Sequence, residues 1–383
     1  MITLIKNGEV YSPDYLGKQS ILVFGDEIVK IDEVDEDKLL DIGLDVTIID
    51  AENAIVTPGL IDPHVHLIGG GGEGGFATRT PEIQLSDIIN SGITTVVGLL
   101  GTDGTTRHMT SLLAKARGLE EEGLTTYIYS GNYHVPTPFI TSSIKDDVIL
   151  IDKVIGAGEI AISDSRSAQP SLHELAKLVS EARIGGLLSG KAGVTHFHVG
   201  PGKEKLSLLH QLIDNYEIPP SKLYATHINR SKELIDDAIS LSKKGSFVDI
   251  TAGDETGELI LYFKNNGGDL NQLTLSSDGN GSLPKFNLEG ELIGFGIASP
   301  KTLYQQVISA VIDYHVPLSE ALSFVTSNTA EALNLPKKGQ LREHGDADIL
   351  ILDRDTLQIE HAFAKGKQMI MNKETIVKGT FEI

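Results

Sequence analysis

The sequence predicts an α/β protein: a (β/α)8 barrel of the TIM type with a small β-sandwich domain formed by the N- and C-terminal segments. Two observations predict this fold class. Between residues 57 and 336, apolar segments rich in β-branched residues alternate with amphipathic segments of helix length. Before and after that region, short strand-like segments are separated by turn residues. With 383 residues, the chain is long enough to contain both units.

The central region predicts eight parallel strands, each followed by a helix. Eight such units fit a closed barrel better than a doubly wound sheet, which rarely needs eight strands. The predicted strands are residues 59–67, 94–100, 125–130, 159–163, 194–199, 223–228, 246–250 and 273–277.

The two ends of the chain predict the second, smaller unit. Short strands separated by turns are expected at residues 2–6, 20–24, 46–50, 348–353, 361–365 and 375–378. We expect these segments to pair into one β-sandwich beside the barrel. The predicted domains are therefore residues 1–56 together with 337–383, and residues 57–336.

The composition excludes several partners. The chain has 53 acidic and 32 basic residues, a formal net charge of −21, so it lacks the clustered Lys and Arg that bind nucleic acids and anionic membranes. No apolar run approaches the ~18 residues of a membrane span, and the N-terminus has no signal-peptide pattern, so we expect a cytoplasmic protein. Because there is no cysteine, any bound metal must be held by His, Asp and Glu.

Residues that bind metals end several of the predicted strands. A barrel enzyme has its active site at the C-terminal ends of its strands. A single histidine on a strand is more often a hydrogen-bonded core residue than a metal ligand, but a set that converges from four strands is better explained by a divalent metal site. The set consists of His64 and His66 on strand 1, His198 on strand 5, His227 on strand 6 and Asp278 on strand 8. His196 shares the inward face of strand 5 with His198, and we assign it no metal role.

Several motifs in the same chain order resemble the isoaspartyl dipeptidase family of the amidohydrolase superfamily. Residues 56–66, VTPGLIDPHVH, resemble the entry signature of the superfamily, and residues 345–349, GDADI, resemble the start of its C-terminal sandwich segment. The motifs specific to the family are HLIGGGGE at 66–73, YHVP at 133–136, AISD at 161–164 followed by Arg166, THINR at 226–230 and SSDGNGS at 276–282.

The resemblance implies hydrolysis of β-aspartyl dipeptides by a metal-activated hydroxide that attacks the scissile amide. It implies two divalent metal ions per chain, which we expect to be zinc. His64, His66 and Asp278 would hold one ion, and His198 and His227 the other. Asp278 would also accept the proton of the nucleophile and pass it to the leaving amine, and Tyr133 would stabilise the tetrahedral intermediate.

The resemblance also implies how the substrate, a small dipeptide, is bound. Glu73 would bind its α-amino group, while Gly71, Thr102 and Ser282 would bind one carboxylate and Arg166 and Arg230 the other. The chemistry of these residues agrees, because such a dipeptide carries one ammonium and two carboxylates. Arginine can grip a carboxylate with two parallel hydrogen bonds, which lysine cannot do. Family members are similar in forming homo-oligomers, and we expect one here.

One position departs from the family pattern. Well-known members have a carboxylated lysine on strand 4, two residues before the AISD motif, which bridges the two metals. This chain has Glu159 there. Strand alternation directs Glu159 to the barrel interior, so we expect its carboxylate to bridge the metals directly. The shorter side chain leaves the metal spacing and the occupancy of the second site open.

Two other functions remain open from the sequence. The first is another amidohydrolase reaction on the same metals, either hydrolysis of a cyclic amide or deamination. It gives no reason for Glu73, Arg166 and Arg230 to occur together. The second is a catalytically dead amidohydrolase-fold scaffold, for which metal ligands should be missing.

Overall fold

The two ends of the chain form one nine-stranded sheet. The computed structural model describes residues 1–41, 43–286 and 292–382. The N-terminal segment supplies β1 (Ile2–Tyr11), β2 (Tyr15–Phe24), β3 (Glu27–Ile31), β4 (Val46–Asp50) and β5 (Ile55–Pro58). The pairing order is completed by four C-terminal strands, numbered β16 to β19 below, of which β16 pairs antiparallel with β5. Strand β1 pairs with β2 along its length, with β4 in its first half and with β5 near its end.

The barrel consists of eight parallel strands. In chain order they are β6 (Leu60–Val65), β7 (Ile93–Gly98), β8 (Thr125–Ser130), β9 (Val154–Ile162), β10 (Val194–Val199), β11 (Leu223–Thr226), β12 (Phe247–Thr251) and β13 (Leu273–Ser276). Consecutive strands are neighbours from β6 to β13. At the seam between the first and last strands, an isolated bridge joins Val65 to Gly279, and the His66 N–H donates to the Gly279 carbonyl at 2.8 Å.

The remaining strands and the α-helices are also numbered in chain order. The strands are β14 (Ser282–Phe286), β15 (Leu292–Ile297), β16 (Ile349–Leu352), β17 (Ile359–Ala364), β18 (Lys367–Met371) and β19 (Glu374–Thr375). The α-helices are α1 (Glu36–Asp41), α2 (Leu85–Ile89), α3 (Met109–Glu122), α4 (Ile144–Leu150), α5 (Leu172–Ser189), α6 (Ser207–Asn215), α7 (Lys232–Lys243), α8 (Thr256–Asn265), α9 (Lys301–Ile312), α10 (Leu318–Ser323) and α11 (Ser327–Ala332). Within the described part of the chain, no helix combines the length and the apolar character that crossing a membrane requires.

The predicted fold class is confirmed: a parallel eight-stranded barrel with intervening helices lies beside a separate sheet built from both chain ends. All eight predicted barrel strands are present. The fourth begins at Val154, five residues earlier than expected, because Gly156 and Gly158 weaken the β-sheet pattern at its start. The expected domain boundaries stay a prediction.

Apolar packing holds the helices against the outside of the barrel. Strand β9 shows the alternation clearly, since Ile160 and Ile162 are buried in the large core shared by strands and helices. The helices begin at recognisable signals. Helix α5 starts with a capping box in which the Ser171 hydroxyl accepts from the Glu174 N–H and the Glu174 carboxylate accepts from the Ser171 N–H.

The interior of the barrel below the C-terminal strand ends is polar. Asp249 on β12 is fully buried and accepts hydrogen bonds from the hydroxyls of Thr226, Thr274 and Ser276 at 2.7, 2.8 and 2.5 Å. Despite these donors, burial and the nearby Asp62 carboxylate together raise the pKa of Asp249 to about 7. A buried carboxyl group in this environment holds its proton more tightly than it would in the unfolded chain.

We predict that Asp249 makes folding pH-dependent. Between pH about 4 and about 7 the folded protein retains a proton on Asp249 that the unfolded chain releases, so this residue lowers the free energy of unfolding as the pH rises. An Asp249→Asn variant should therefore gain stability relative to the wild type across that window, by at most about 4 kcal/mol. Urea unfolding at matched metal content measures this difference. Asp152→Asn, which removes an exposed carboxylate, is the control, and a constant difference for Asp249→Asn at every pH contradicts the prediction.

Candidate active site

The six predicted metal ligands meet at the C-terminal ends of the barrel strands. Glu159 is at the centre of the group and has no exposed surface. One of its oxygens, Oε2, lies 3.0 Å from His198 Nδ1, 3.6 Å from His64 Nε2 and 3.8 Å from His227 Nε2. Its other oxygen, Oε1, lies 3.7 Å from His66 Nε2. Glu159 therefore contacts both halves of the predicted ligand set.

Asp278 lies on the opposite side of the first histidine pair. Its Oδ1 is 3.3 Å from His64 Nε2 and 3.1 Å from His66 Nε2. Both His227 and Asp278 have a backbone in the left-handed region, with φ of 63° and 51°. Non-glycine residues in this conformation cost free energy and cluster at functional sites. Here the turn directs both side chains back over the mouth of the barrel.

Neighbouring groups orient two of the imidazoles through their second nitrogen. His64 Nδ1 is 2.9 Å from His196 Nε2, and His227 Nδ1 is 2.6 Å from the Thr251 hydroxyl. His196 in turn stacks on the Tyr129 ring, with centroids 5.0 Å apart. A ligand histidine held in this way presents its other nitrogen in a fixed direction.

Burial keeps these imidazoles neutral. It lowers the pKa of His64 and of His227, and it lowers the pKa of His198 to about 3 even though Asp164 acts in the opposite direction. A neutral imidazole has a free lone pair for a metal. Burial raises the pKa of the Glu159 carboxyl well above its usual value. Burial acts in the same direction on Asp278, but the adjacent His64 and His66 imidazoles outweigh it and hold the pKa of Asp278 well below its usual value.

The donor set fits divalent metal ions. Within the described residues, three groups have ligand atoms within 4.8 Å of one another: His64 with His227 and Asp278, His64 with His66 and Glu159, and Glu159 with His198 and His227. His64 Nε2 and Glu159 Oε1 are buried and have no hydrogen-bond partner among the described atoms. Unpaired buried polar atoms are costly, and a cation between them removes that cost.

Tyr133 borders the ligand cluster. Its side chain is buried, and its hydroxyl is 2.7 Å from His198 Nδ1. Burial and the Glu159 carboxylate raise the pKa of the Tyr133 phenol well above 10. The phenol therefore keeps its proton at neutral pH and can donate a hydrogen bond.

The predicted substrate-binding residues lie together beside this cluster. Glu73 Oε1 accepts from the Thr102 hydroxyl at 3.0 Å and from Arg166 Nη1 at 3.3 Å, and Glu73 Oε2 is 3.5 Å from the Ser282 hydroxyl. Gly71 adjoins Ser282: a Cβ at Gly71 would lie 2.9 Å from that of Ser282 and 2.5 Å from the Thr78 carbonyl oxygen, and φ there is +73°. Only glycine suits that position.

Two arginines outside the predicted set fasten the glycine loop that carries Glu73. The Arg107 guanidinium is buried and donates to the carbonyls of Ile68, Gly70 and Thr80 at 3.1, 2.9 and 3.0 Å. Arg79, at the far end of the loop, donates to Asp103 at 2.6 Å. The loop is therefore attached to the segment after β7. Neither arginine ends a strand, so the strand pattern gave no signal for them.

Sequence reasoning also assigned no role to Asp164, although it belongs to the quoted AISD motif. Its side chain is buried between three site residues, since its Oδ2 lies 2.8 Å from Arg166 Nη2, 3.2 Å from His198 Nε2 and 3.4 Å from Arg230 Nη1. Its position just beyond β9, two residues before Arg166, was the available signal. His196 is absent from the metal-binding groups found among the described residues, and it contacts His64 instead.

Comparison with known proteins identifies the class. Residues 55–381 match the amidohydrolase family, so the chain belongs to that family, whose superfamily is metal-dependent. A curated dihydroorotase of Endomicrobium trichonymphae is 35% identical over 88 residues, but that match spans 23% of this chain and only 20% of the relative.

The chain's close structural homologues within that class are β-aspartyl dipeptidases. It is similar to the crystal structure of the β-aspartyl dipeptidase of Fervidobacterium islandicum AW-1 in complex with the β-Asp-Leu dipeptide, with 43% identity, 98% of each chain covered and a TM-score of 0.91. A second structure of the Fervidobacterium islandicum AW-1 dipeptidase gives 41% identity, 98% coverage of each chain and a TM-score of 0.90. The family resemblance drawn from the sequence motifs is confirmed.

Proposed function

We propose that the protein hydrolyses β-aspartyl dipeptides at a two-metal site. One observation carries the proposal: an acidic and a basic recognition group, Glu73 and Arg166, lie side by side next to a cluster of buried metal-binding residues. A β-aspartyl dipeptide presents the complementary ammonium and carboxylate. The similarity to an enzyme crystallised with β-Asp-Leu supports the same substrate class.

The metal ligands follow from the contacts of the cluster. His64, His66 and Asp278 would hold one ion, His198 and His227 the other, and Glu159 would bridge them, because its two oxygens face different histidines. The ligands are nitrogen and oxygen atoms without sulfur, which suits zinc, and we expect two ions per chain. When bound, such ions polarise the scissile carbonyl and supply a hydroxide nucleophile at neutral pH.

The chain's own residues would move the protons and stabilise developing charge. Asp278 is ionised, because His64 and His66 hold its pKa low, and it would accept the proton of the attacking nucleophile and pass it to the leaving amine. Tyr133 keeps its phenolic proton and would donate it as a hydrogen bond to the oxyanion. Both groups border the space in front of the histidines.

Substrate recognition would use an ion pair that the protein already contains. Glu73 and Arg166 neutralise each other at 3.3 Å. The substrate ammonium would replace Arg166 beside Glu73, which frees Arg166, together with Arg230, for the substrate carboxylate. Gly71, Thr102 and Ser282 would bind the second carboxylate. A substrate with only one of these charges would break the Glu73–Arg166 pair without replacing both of its members. The homo-oligomer and the cytoplasmic location stay predictions.

The first test compares substrates. With its metals counted, the protein should hydrolyse β-Asp-Leu with a kcat/KM at least about tenfold above that for α-Asp-Leu, and it should not open hydantoin. Stripping the metals should abolish activity, and zinc should restore it. Preferential opening of hydantoin would support the cyclic-amide alternative. No turnover of any substrate by fully metal-loaded protein would support the scaffold alternative.

The second prediction concerns Glu159. Replacing it by Gln keeps the volume but removes the charge that faces four imidazoles, so Glu159→Gln should lose one metal equivalent per chain and most activity. Elemental analysis after dialysis measures the metal content. Asp249→Asn alters a buried carboxylate that is hydrogen-bonded to Thr226, Thr274 and Ser276 rather than to a histidine, so it should retain both metals. Added bicarbonate should not change wild-type activity, because no lysine awaits carboxylation. Two tightly bound metals in Glu159→Gln, or activation of the wild type by bicarbonate, would refute the bridging role.

The third prediction concerns Glu73. Glu73→Gln should lower kcat/KM for β-Asp-Leu. The loss should correspond to about 1.5 to 3 kcal/mol of transition-state stabilisation, the range of a charged hydrogen bond. N-acetyl-β-Asp-Leu should show the same loss with the wild type and little further loss with the variant. Glu82→Gln, at an exposed carboxylate, is the control. Additive losses from the substitution and the acetyl group would mean that Glu73 does not contact the amine.

A further inference from the structure

Asp164 connects two parts of the active site that have different tasks. It is the second residue after β9, and its side chain is 2% exposed. One carboxylate oxygen, Oδ2, faces His198 of the predicted metal site as well as Arg166 and Arg230 of the predicted carboxylate site. The other, Oδ1, accepts from the backbone N–H and from Nε of Arg166, at 2.8 and 3.0 Å. Both oxygens are therefore occupied by site residues.

The contact with His198 fixes the orientation of that imidazole. Nδ1 of His198 lies 3.0 Å from Glu159 and 2.7 Å from the Tyr133 hydroxyl. Nε2 lies 3.2 Å from Asp164, 3.1 Å from Arg166 Nη2 and 3.3 Å from the Tyr133 hydroxyl, and of these groups Asp164 is the anionic acceptor whereas the guanidinium only donates. An imidazole that binds a metal through Nδ1 carries its proton on Nε2, and that proton needs an acceptor. Asp164 is the carboxylate within reach. A carboxylate partner of this kind fixes the tautomer of a ligand histidine and increases its basicity.

The contact with Arg166 fixes the guanidinium. Nε and Nη2 bind the two oxygens of Asp164 at 3.0 and 2.8 Å, which is the parallel two-bond geometry of an arginine–carboxylate pair. This arrangement leaves Nη1 directed towards Glu73. The ring of Tyr133 lies 5.3 Å from the guanidinium carbon and limits the remaining freedom of the group.

The neighbouring strand leaves space for Asp164. Gly200 follows β10, and a Cβ built there would lie 2.4 Å from the Asp164 Cβ and 2.5 Å from the Ser163 carbonyl oxygen. No real side chain tolerates such distances, so position 200 admits only glycine while Asp164 occupies this place. Two strand ends thus combine to hold one carboxylate beside His198.

We propose that Asp164 is a positioning residue that couples the second metal site to recognition of the substrate carboxylate. This inference rests on the proposed function. The same oxygen accepts from the metal-ligand histidine and from the arginine, so moving or neutralising Asp164 disturbs both at once. Asp164 touches neither substrate nor metal itself. Its effect is transmitted through His198 in one direction and through Arg166 and Arg230 in the other.

The test uses Asp164→Asn, which keeps the shape of the side chain but removes its charge. Asp237→Asn is the matched control, because Asp237 also pairs with a histidine, His210 at 2.9 Å, away from the site. Zinc is titrated into each metal-free protein against a competing chelator. In Asp164→Asn the second zinc equivalent should bind about 10- to 100-fold more weakly, while the first should change less than about twofold. The control should bind both as the wild type does.

The second readout is the dependence on the substrate carboxylate. With the leucine carboxylate placed at Arg166 and Arg230, the ratio of kcat/KM for β-Asp-Leu to that for β-Asp-leucinamide should fall at least about tenfold in Asp164→Asn, through a higher KM for β-Asp-Leu. A purely structural role would lower kcat/KM for both substrates equally. Unchanged affinity for the second zinc, or an unchanged ratio, overturns the coupling.

Two further measurements keep the outcome interpretable. If Asp164→Asn does not fold, as judged by circular dichroism, the smaller Asp164→Ser is titrated in the same way with the same expected losses. If the wild type binds two zinc ions but hydrolyses no β-aspartyl dipeptide, the proposed function fails. The zinc titration then still tests the His198 contact, and calorimetric binding of β-Asp-Leu and of its amide tests the arginine contact.

Discussion

A carboxylate buried among imidazoles determines how this barrel is organised at its C-terminal end. Glu159 has no exposed surface, and it faces His64, His198 and His227, whose pKa values burial lowers so that the imidazoles stay neutral. An ionised carboxylate in that position costs several kcal/mol unless a cation lies beside it. The same burial that disfavours the charge makes the surrounding nitrogens available as ligands. A bound metal ion would balance the charge of the Glu159 carboxylate and use the neutral imidazoles as ligands. This explains why Glu159 and the histidines occur together.

The fold was largely predictable because the barrel strands produce a strong local signal. Each is a short, β-rich apolar segment, and segments of helix length separate them. The start of β9 was missed where two glycines interrupt that pattern. In the terminal sheet, β3, β5 and β18 were not predicted, because strands of four or five residues have little periodicity to detect. The pairing of β16 with β5 joins residues almost 300 positions apart, which no local pattern encodes.

Site residues near the ends of strands could be predicted from the sequence. Residues that act through another residue were harder to predict. Glu73, Thr102 and Arg166 lie together as the family resemblance implied. Asp164, His196 and Arg107 had no assigned function, because each acts through contacts with another site residue or a backbone carbonyl rather than through a recognisable ligand spacing. Such contacts depend on the angle at which neighbouring strands and loops approach, and this angle comes from tertiary packing. A buried polar residue next to a motif residue is the sequence feature that such cases share.

The proposed metal ligands lie at the seam of the barrel, which gives them a structural role as well as a catalytic one. Strands β6 and β13 are joined by the bridge between Val65 and Gly279, and the proposed ligands His66 and Asp278 are the immediate chain neighbours of these two residues. An ion coordinated by both would act as a cross-link between the first and last strands of the barrel, in the way that a disulfide closes a loop. The binding free energy of the ion would then contribute to the stability of the closed barrel. The residues proposed to hold the catalytic metals would in this way also keep the barrel closed. Loss of the metals would then loosen the pairing of its first and last strands, at the place where we expect the substrate to bind.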